Sequence, residues 1–191
     1  MRVIGGFLKG KRIDFLKSAT TRPLRDFVKE NIFNIIRHSK LIDVSLENVN
    51  ILDLYSGVGS FGIECISSGA KKVTFVESNK EVLEVLKKNI EQLKIEKKSK
   101  IFETKIISFC KNSNKDNKFD IIFLDPPFSE NFFIQDLKII KNLNIYKDNH
   151  LIVIHRESRS NDNLSGIINI LIAKKYGRSK ILFGNFNEDT V

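Results

Sequence analysis

Ile51-Leu52-Asp53-Leu54-Tyr55-Ser56-Gly57-Val58-Gly59-Ser60-Phe61-Gly62 decides the fold. A short apolar run ends in a glycine-rich turn, and a second apolar stretch with helix character follows through Cys65. The literal G-x-G-x-x-G lets the chain turn tightly and brings backbone close to a ligand at a helix N-terminus. Glu77 lies twenty residues after Gly57, at the end of the next apolar run, Lys72-Val73-Thr74-Phe75-Val76-Glu77, where a carboxylate can accept from ribose hydroxyls. Asp53 precedes Gly57 by four residues. A carboxylate there repels the pyrophosphate of a dinucleotide and suits a ligand carrying an ammonium and a sulfonium. The loop therefore points to S-adenosylmethionine rather than to a nicotinamide dinucleotide.

Toward the C-terminus, strands and helices alternate. Lys80 to Leu93 carries Val82, Val85, Leu86, Ile90 and Leu93 on one helical face. Ile101-Phe102, Phe119 to Leu124 and Leu151 to His155 read as further strands, with a helix over Phe132 to Leu143. Ile167 to Ala173 and Lys180 to Phe186 flank Tyr176-Gly177-Arg178 and read as an antiparallel pair. This order predicts an α/β fold, Rossmann-like, with a mostly parallel sheet covered on both faces and its ligand at the carboxyl ends of the strands.

Asp125-Pro126-Pro127-Phe128 follows the fourth strand directly. The two prolines hold the chain extended where the sheet opens onto the pocket. The Asp125 carboxylate and the Pro126 carbonyl can together accept both N–H groups of an exocyclic amine, and Phe128 offers a flat face for a base. Accepting both hydrogens pulls a poorly nucleophilic nitrogen toward tetrahedral geometry and aims its lone pair at a methyl group. The proton can leave after transfer, when Asp125 stabilises the positive nitrogen.

Toward the N-terminus the pattern differs. Met1 to Ala19 is broken by Gly5-Gly6 and Gly10 and predicts a hairpin. Pro23 sits where a helix begins, and Phe27, Ile32, Phe33 and Ile36 carry its period to about Leu41. The expected division is a basic appendage over 1–48 and a cofactor domain over 49–191, meeting in the polar stretch Ser45 to Asn48. Residues 1–29 hold eight Lys and Arg against two Asp, a net +6, which leaves +3 of the total +9 for the rest. That concentration is the footprint of a polyanion partner.

Composition narrows the class. With 41% hydrophobic and 29% charged residues over 191, the chain can bury a core. No apolar run reaches the ~20 residues of a membrane span, and the start lacks a secretory pattern. Cys65 and Cys110 form no metal or redox pair, and His38, His150 and His155 share no ligand spacing. These features predict a cytoplasmic protein without metal or membrane partner, with both cysteines in the core. The histidines read as structural, His155-Arg156 at a strand end being the most notable.

With these residues in place, the chain resembles the RsmD family of bacterial rRNA guanine-N2 methyltransferases, within the class I enzymes that carry an Asp/Asn-Pro-Pro-aromatic motif. Gly6-Phe7-Leu8-Lys9-Gly10-Lys11-Arg12 resembles the family's basic hairpin, and Thr21-Arg22-Pro23 with Lys29-Glu30 and Phe33-Asn34 its following helix. Asp53 to Gly59, Phe75-Val76-Glu77, Asn89, Phe119-Asp120, Asp125 to Phe128 and Tyr176-Gly177 follow at family spacing. The resemblance implies a seven-stranded sheet ending in a reversed hairpin. It also implies methyl transfer from S-adenosylmethionine to N2 of a guanine in 16S rRNA, the guanine-966 site, by a monomer acting on rRNA or a small-subunit assembly intermediate.

The expected catalytic residues are Asp125, Pro126 and Phe128. The expected cofactor contacts are Asp53, Tyr55, Gly57, Gly59, Glu77, Ser78, Lys105 and Ile106. RNA contacts are expected from Lys9, Lys11, Arg12, Arg22 and Arg25. Three positions depart from the family pattern: Leu24 stands for Thr, Lys29 for Arg, and Lys105 for the Asp or Asn near the adenine amino group. Three rivals remain open at this level. They are an adenine-N6 methyltransferase, a non-catalytic RNA-binding assembly factor with this fold, and, opposed by Asp53, a nicotinamide-dependent dehydrogenase.

Overall fold

The computed structural model describes residues 1–16, 24–113, 117–127 and 132–187. Its centre is a seven-stranded sheet in the order β3-β2-β1-β4-β5-β7-β6. The strands are β1 (Asn50–Leu54), β2 (Lys72–Glu77), β3 (Ser99–Glu103), β4 (Phe119–Leu124), β5 (Tyr146–Glu157), β6 (Ile168–Tyr176) and β7 (Ser179–Phe186). The first five pair in parallel, and β7 is inserted antiparallel between β5 and β6. The expected α/β class and terminal reversed hairpin are both present. Strand order reverses between β1 and β4, which opens a crevice at their carboxyl ends.

The period-2 alternation of the strands feeds two separate cores. Ile51, Val73, Phe75, Ile121, Phe123, Val153 and Phe183 face α1 (Asp26–His38), α2 (Ser60–Ser67) and α3 (Lys80–Gln92). Leu52, Leu54, Val76, Ile122, Leu124, Ile152 and Leu182 face α4 (Ile106–Lys111) and α5 (Phe133–Leu143). β1 and β4 are apolar on both sides because both faces are covered.

Several boundaries differ from the sequence reading. α4 was not expected: at six residues, Ile106-Ile107-Ser108-Phe109-Cys110-Lys111 is too short to show a helical period and reads as an apolar run. β5 begins five residues before Leu151, in the polar stretch Tyr146 to His150, and its pairing with β4 shifts register between Phe119 and Ile121. α1 runs from Asp26 to His38, so the helix starts after Pro23 and stops before Leu41. Pro23 itself lies outside the described residues.

The N-terminal segment forms a narrow hairpin with one antiparallel bridge, Arg2 to Arg12, and a 3-10 turn over Gly6–Leu8. It lies along α2 and is fastened by side chains rather than by a strand ladder. The Glu64 carboxylate accepts from the Ile4 and Gly5 amides at 2.9 and 2.7 Å. Ser67 Oγ accepts from Leu8 N at 2.9 Å and donates to the Gly5 carbonyl. Asn89 on α3 pairs with both backbone groups of Asp14, accepting from its N–H and donating to its carbonyl. Val3, Leu8 and Ile13 join the core on the α1–α3 side of the sheet. Gly6 has φ +70°, and a Cβ there would stand 1.8 Å from the Ser67 carbonyl oxygen.

Two departures from the family pattern find a physical reason here. Leu24 is buried in that same core, where an apolar side chain belongs. Lys29 is fully buried, and its ammonium meets three acceptors: the Arg2 carbonyl at 2.7 Å, Glu64 Oε2 at 3.2 Å and Ser60 Oγ at 3.5 Å. Three donors thus meet three acceptors. Lys29 is neutralised inside the fold, so it does not belong to the basic surface in which the sequence count placed it.

Candidate active site

The β1 end carries the first part of the site. Asp53 points to the α2 side, where Oδ2 accepts from the Gly62 amide at 2.9 Å. Gly62 is required by packing, since a Cβ would meet Phe75 at 2.3 Å and the Asp53 carboxylate at 2.8 Å. Gly59, at φ +86°, would collide with Leu86 at 2.5 Å. Gly57, at φ +55°, faces open space, so the loop's outer surface lies bare toward the crevice. The loop is also held from behind, where Asn89 Nδ2 donates to the Val58 carbonyl at 3.1 Å.

Glu77 at the β2 end organises the loop through both oxygens. Oε2 accepts from the Gly57 amide at 2.9 Å, and Oε1 accepts from the Ser78 and Asn79 amides at 2.8 and 2.9 Å. Ser78 is exposed beside it. Lys105 precedes the first residue of α4 and is exposed, while Ile106 is buried in the second core. Thr104 N donates to the Glu77 carbonyl at 3.0 Å, which brings this turn alongside the Glu77 end of the crevice. Tyr55, at φ +54°, packs against the second core and its hydroxyl lies 2.5 Å from Asp136 Oδ2 on α5.

The chemistry of this end fits the sulfonium cofactor. Asp53 Oδ1 and Ser56 Oγ are buried and have no hydrogen-bond partner among the described residues. Burial holds the Asp53 carboxyl well above the usual carboxylate range, against the Gly62 amide, and Asp125 and Glu77 push the same way. A ligand ammonium nearby would relieve that strain by giving the ionised carboxylate a positive neighbour. A dinucleotide pyrophosphate would add to it.

The β4 end carries the second part. Asp125 N donates to the Leu54 carbonyl at 3.4 Å, which lays the Asp-Pro-Pro turn beside the end of β1. Asp125 Oδ1 is 2.8 Å from His155 Nδ1, and His155 Nε2 is 2.9 Å from Ser179 Oγ. A Ser179 hydroxyl donating to Nε2 leaves the ring proton on Nδ1, where it is given to Asp125. Arg156 Nη1 donates to the Pro127 carbonyl at 3.1 Å, while its Nε and Nη2 grip Asp162 at 3.1 and 3.0 Å. The guanidinium also lies over the Phe133 ring at 4.4 Å. The proline turn is therefore clamped from β5. Pro126 is buried, and Phe128 lies outside the described residues.

The structure thus brings Asp53, Gly57, Gly59, Glu77, Lys105 and Asp125 to one edge of the sheet, the carboxyl ends of β1 to β4. Sequence reasoning missed Ser56, Ser179 and the Arg156–Asp162 clamp. It also read His155 as structural, although the His155-Arg156 pair at a strand end was the available signal. Lys9, Lys11, Arg12 and Arg25 are exposed, and Arg22 lies outside the described residues. The hairpin runs from Arg2, near the first turn of α2, to Leu8 beside its last, so Lys9 lies at its far end.

His150 and the two cysteines lie inside the fold. His150 Nε2 accepts from the Phe186 amide at 2.9 Å, and burial lowers its pKa. Both cysteines are buried as expected, and burial pushes the Cys110 thiol up to about 12. No cluster of three or more metal-ligating side chains occurs among the described residues. None of the described helices is long and apolar enough to cross a membrane. A cavity of about 440 Å³ lined by Val49, Lys118, Asp120 and Lys147 opens at the opposite, amino-terminal edge of the strands, away from these groups.

Comparisons with known proteins agree with this geometry. The family model described as conserved hypothetical protein 95 matches residues 1–185. Ribosomal RNA small subunit methyltransferase D of Haemophilus influenzae is 35% identical over 82% of this chain and 79% of its own. The protein of the same name from Buchnera aphidicola is 31% identical over 98% of this chain and 93% of its own. The crystal structure of a Haemophilus influenzae protein, 30% identical, superposes with a TM-score of 0.76 over 97% of this chain and 98% of that one. The cofactor loop at β1, the carboxylate at the β2 end, the Asp-Pro-Pro turn at β4 and the match from end to end place this chain in the RsmD family of ribosomal RNA small-subunit methyltransferases.

Proposed function

We propose that the protein transfers a methyl group from S-adenosylmethionine to the exocyclic N2 amine of a guanine in 16S rRNA, presented as rRNA or as a small-subunit assembly intermediate. When bound, the cofactor supplies an electrophilic methyl on a sulfonium, whose S–C electron pair returns to sulfur. Asp53 and Ser56 take its ammonium end, and Glu77 with Ser78 its ribose. The backbone at Lys105-Ile106 takes its adenine, and the open face of Gly57 admits its close approach.

Asp125 carries the chemistry. His155 occupies Oδ1, which leaves Oδ2 and the Pro126 carbonyl to accept the two N–H groups of the target amine. That pair of acceptors draws the lone pair out of conjugation and points it at the methyl. After the N–C bond forms, the positive nitrogen gives its proton to Asp125. The supporting observation is the Asp125–His155 contact at 2.8 Å together with the Arg156 grip on Pro127. It fixes a carboxylate and a carbonyl at the switch point of the sheet, one strand from Asp53. Lys9, Lys11, Arg12, Arg22 and Arg25 contact RNA phosphates.

The test is transfer of tritiated methyl from S-adenosylmethionine to rRNA from cells lacking the activity, followed by nucleoside analysis. N2-methylguanosine in the small-subunit fraction is expected, and methyladenosine would replace the base assignment. No incorporation with no cofactor binding by calorimetry would leave an RNA-binding assembly factor. Asp125→Ala is expected to lower kcat by ~10²–10⁴, about 2.7–5.4 kcal/mol, with cofactor affinity unchanged.

A further inference from the structure

Phe27, in the first turn of α1, exposes 63% of its surface. Tyr176, at the end of β6, meets it edge to face, with ring centroids 5.9 Å apart and planes at 85°. Residues 149 apart in sequence therefore build one aromatic corner. Its position is defined by a chain of contacts: Tyr176 is the register partner of Ser179, and Ser179 Oγ reaches His155, which holds Asp125. The corner stands on the same edge of the sheet as the Asp125 carboxylate. Exposed guanidiniums flank it, Arg25 just before α1 and Arg178 in the β6–β7 turn, the latter lying 3.9 Å from Glu157.

A phenylalanine held largely in water forgoes the burial that its apolar ring would gain against a partner. An exposed ring braced by a perpendicular one, beside groups that pair with phosphate, matches an unpaired nucleotide. An apolar protein partner would not be favoured by arginines on both sides. We propose that Phe27 and Tyr176 form a stacking platform for an unpaired nucleobase next to the methylated guanine. This inference rests on the RNA reading above.

The chain contains no tryptophan, so Phe27→Trp installs a single indole at the platform. The probe is a short mixed-sequence single-stranded RNA, with its binding followed independently by anisotropy of a labelled copy. Quenching of the indole fluorescence that saturates together with anisotropy is expected. Leu41→Trp, a comparably exposed site just beyond the C-terminal end of α1, stays unquenched. Phe27→Leu and Tyr176→Leu keep apolar bulk but lose stacking, and each is expected to weaken RNA binding by roughly 5- to 150-fold, with cofactor affinity unchanged. RNA binding without quenching, or with unchanged affinity in both leucine variants, overturns the platform and leaves the RNA reading intact. No RNA binding by the wild-type protein overturns both.

Discussion

Lys29→Met tests whether the N-terminal hairpin is held by the buried ion pair. Lys29 and Glu64 are both at 0% side-chain exposure, 3.2 Å apart. Methionine nearly fills the space of the lysine stem, so the cavity contribution is small, and the change reduces to leaving Glu64 charged and unmatched. Removing one member of a buried pair costs about 3–5 kcal/mol. For a chain of this length each kcal/mol moves Tm by about 2–4 °C, so a fall of roughly 6–20 °C is expected. Urea unfolding followed by circular dichroism reads the loss directly. Limited proteolysis should also show residues 1–16 cut first, because Glu64 orders the Ile4 and Gly5 amides. The companion variant, Lys29→Met with Glu64→Gln, removes the unmatched charge and keeps an acceptor for those amides, so it recovers at least half of the loss. A single variant that loses less than ~1 kcal/mol, or a double variant no more stable than the single, would refute the reasoning.

Three further outcomes follow from the same structure. Asp53 has a folded pKa above its unfolded value of about 3.9, chiefly through burial. The stabilisation linked to its protonation is present below that value and is lost as pH rises through the folded one. Asp53→Asn should therefore gain stability relative to wild type as pH increases from about 4 to 8, with weaker cofactor binding at neutral pH. A pH-independent difference in urea midpoints would contradict it. His155→Leu takes a hydrogen bond from the charged Asp125 and is expected to lower single-turnover rates about 10- to 150-fold while cofactor affinity holds. His155→Asn, which can still donate, should recover part of the rate. Neutralising Lys9, Lys11 and Arg12 with Gln should flatten the salt dependence of RNA binding by roughly 2–3 units of log–log slope, and an unchanged slope would move the RNA footprint elsewhere.

Local chemistry made much of this protein legible in its sequence. The strand-turn-helix around Gly57, the carboxylates Asp53 and Glu77 at strand ends, and the Asp125-Pro126-Pro127 turn depend on period-2 burial, glycine conformations and proline geometry. All of these act within a few residues, so the sequence alone determined the α/β class, a ligand site at the carboxyl ends of the strands and the charge of its ligand. The short helix α4 escaped because six residues do not display a period, and the early start of β5 because its polar residues carry no apolar alternation.

What the sequence left open are pairings across long separations. Lys29 reads as part of a basic surface until Glu64 and the Arg2 carbonyl close around it. His155 has no ligand spacing, yet its ring joins Asp125 to Ser179. Arg156 is one of 32 Lys and Arg, and only its bond to the Pro127 carbonyl separates it from the others. Phe27 resembles any apolar helix residue until Tyr176 stands beside it on an exposed corner. Hydrogen bonds and ion pairs act over about 3 Å whatever the separation along the chain. Which residues reach that distance is set by the packing of the whole sheet, so tertiary structure alone decided how the site is held and which side chains stand at its rim.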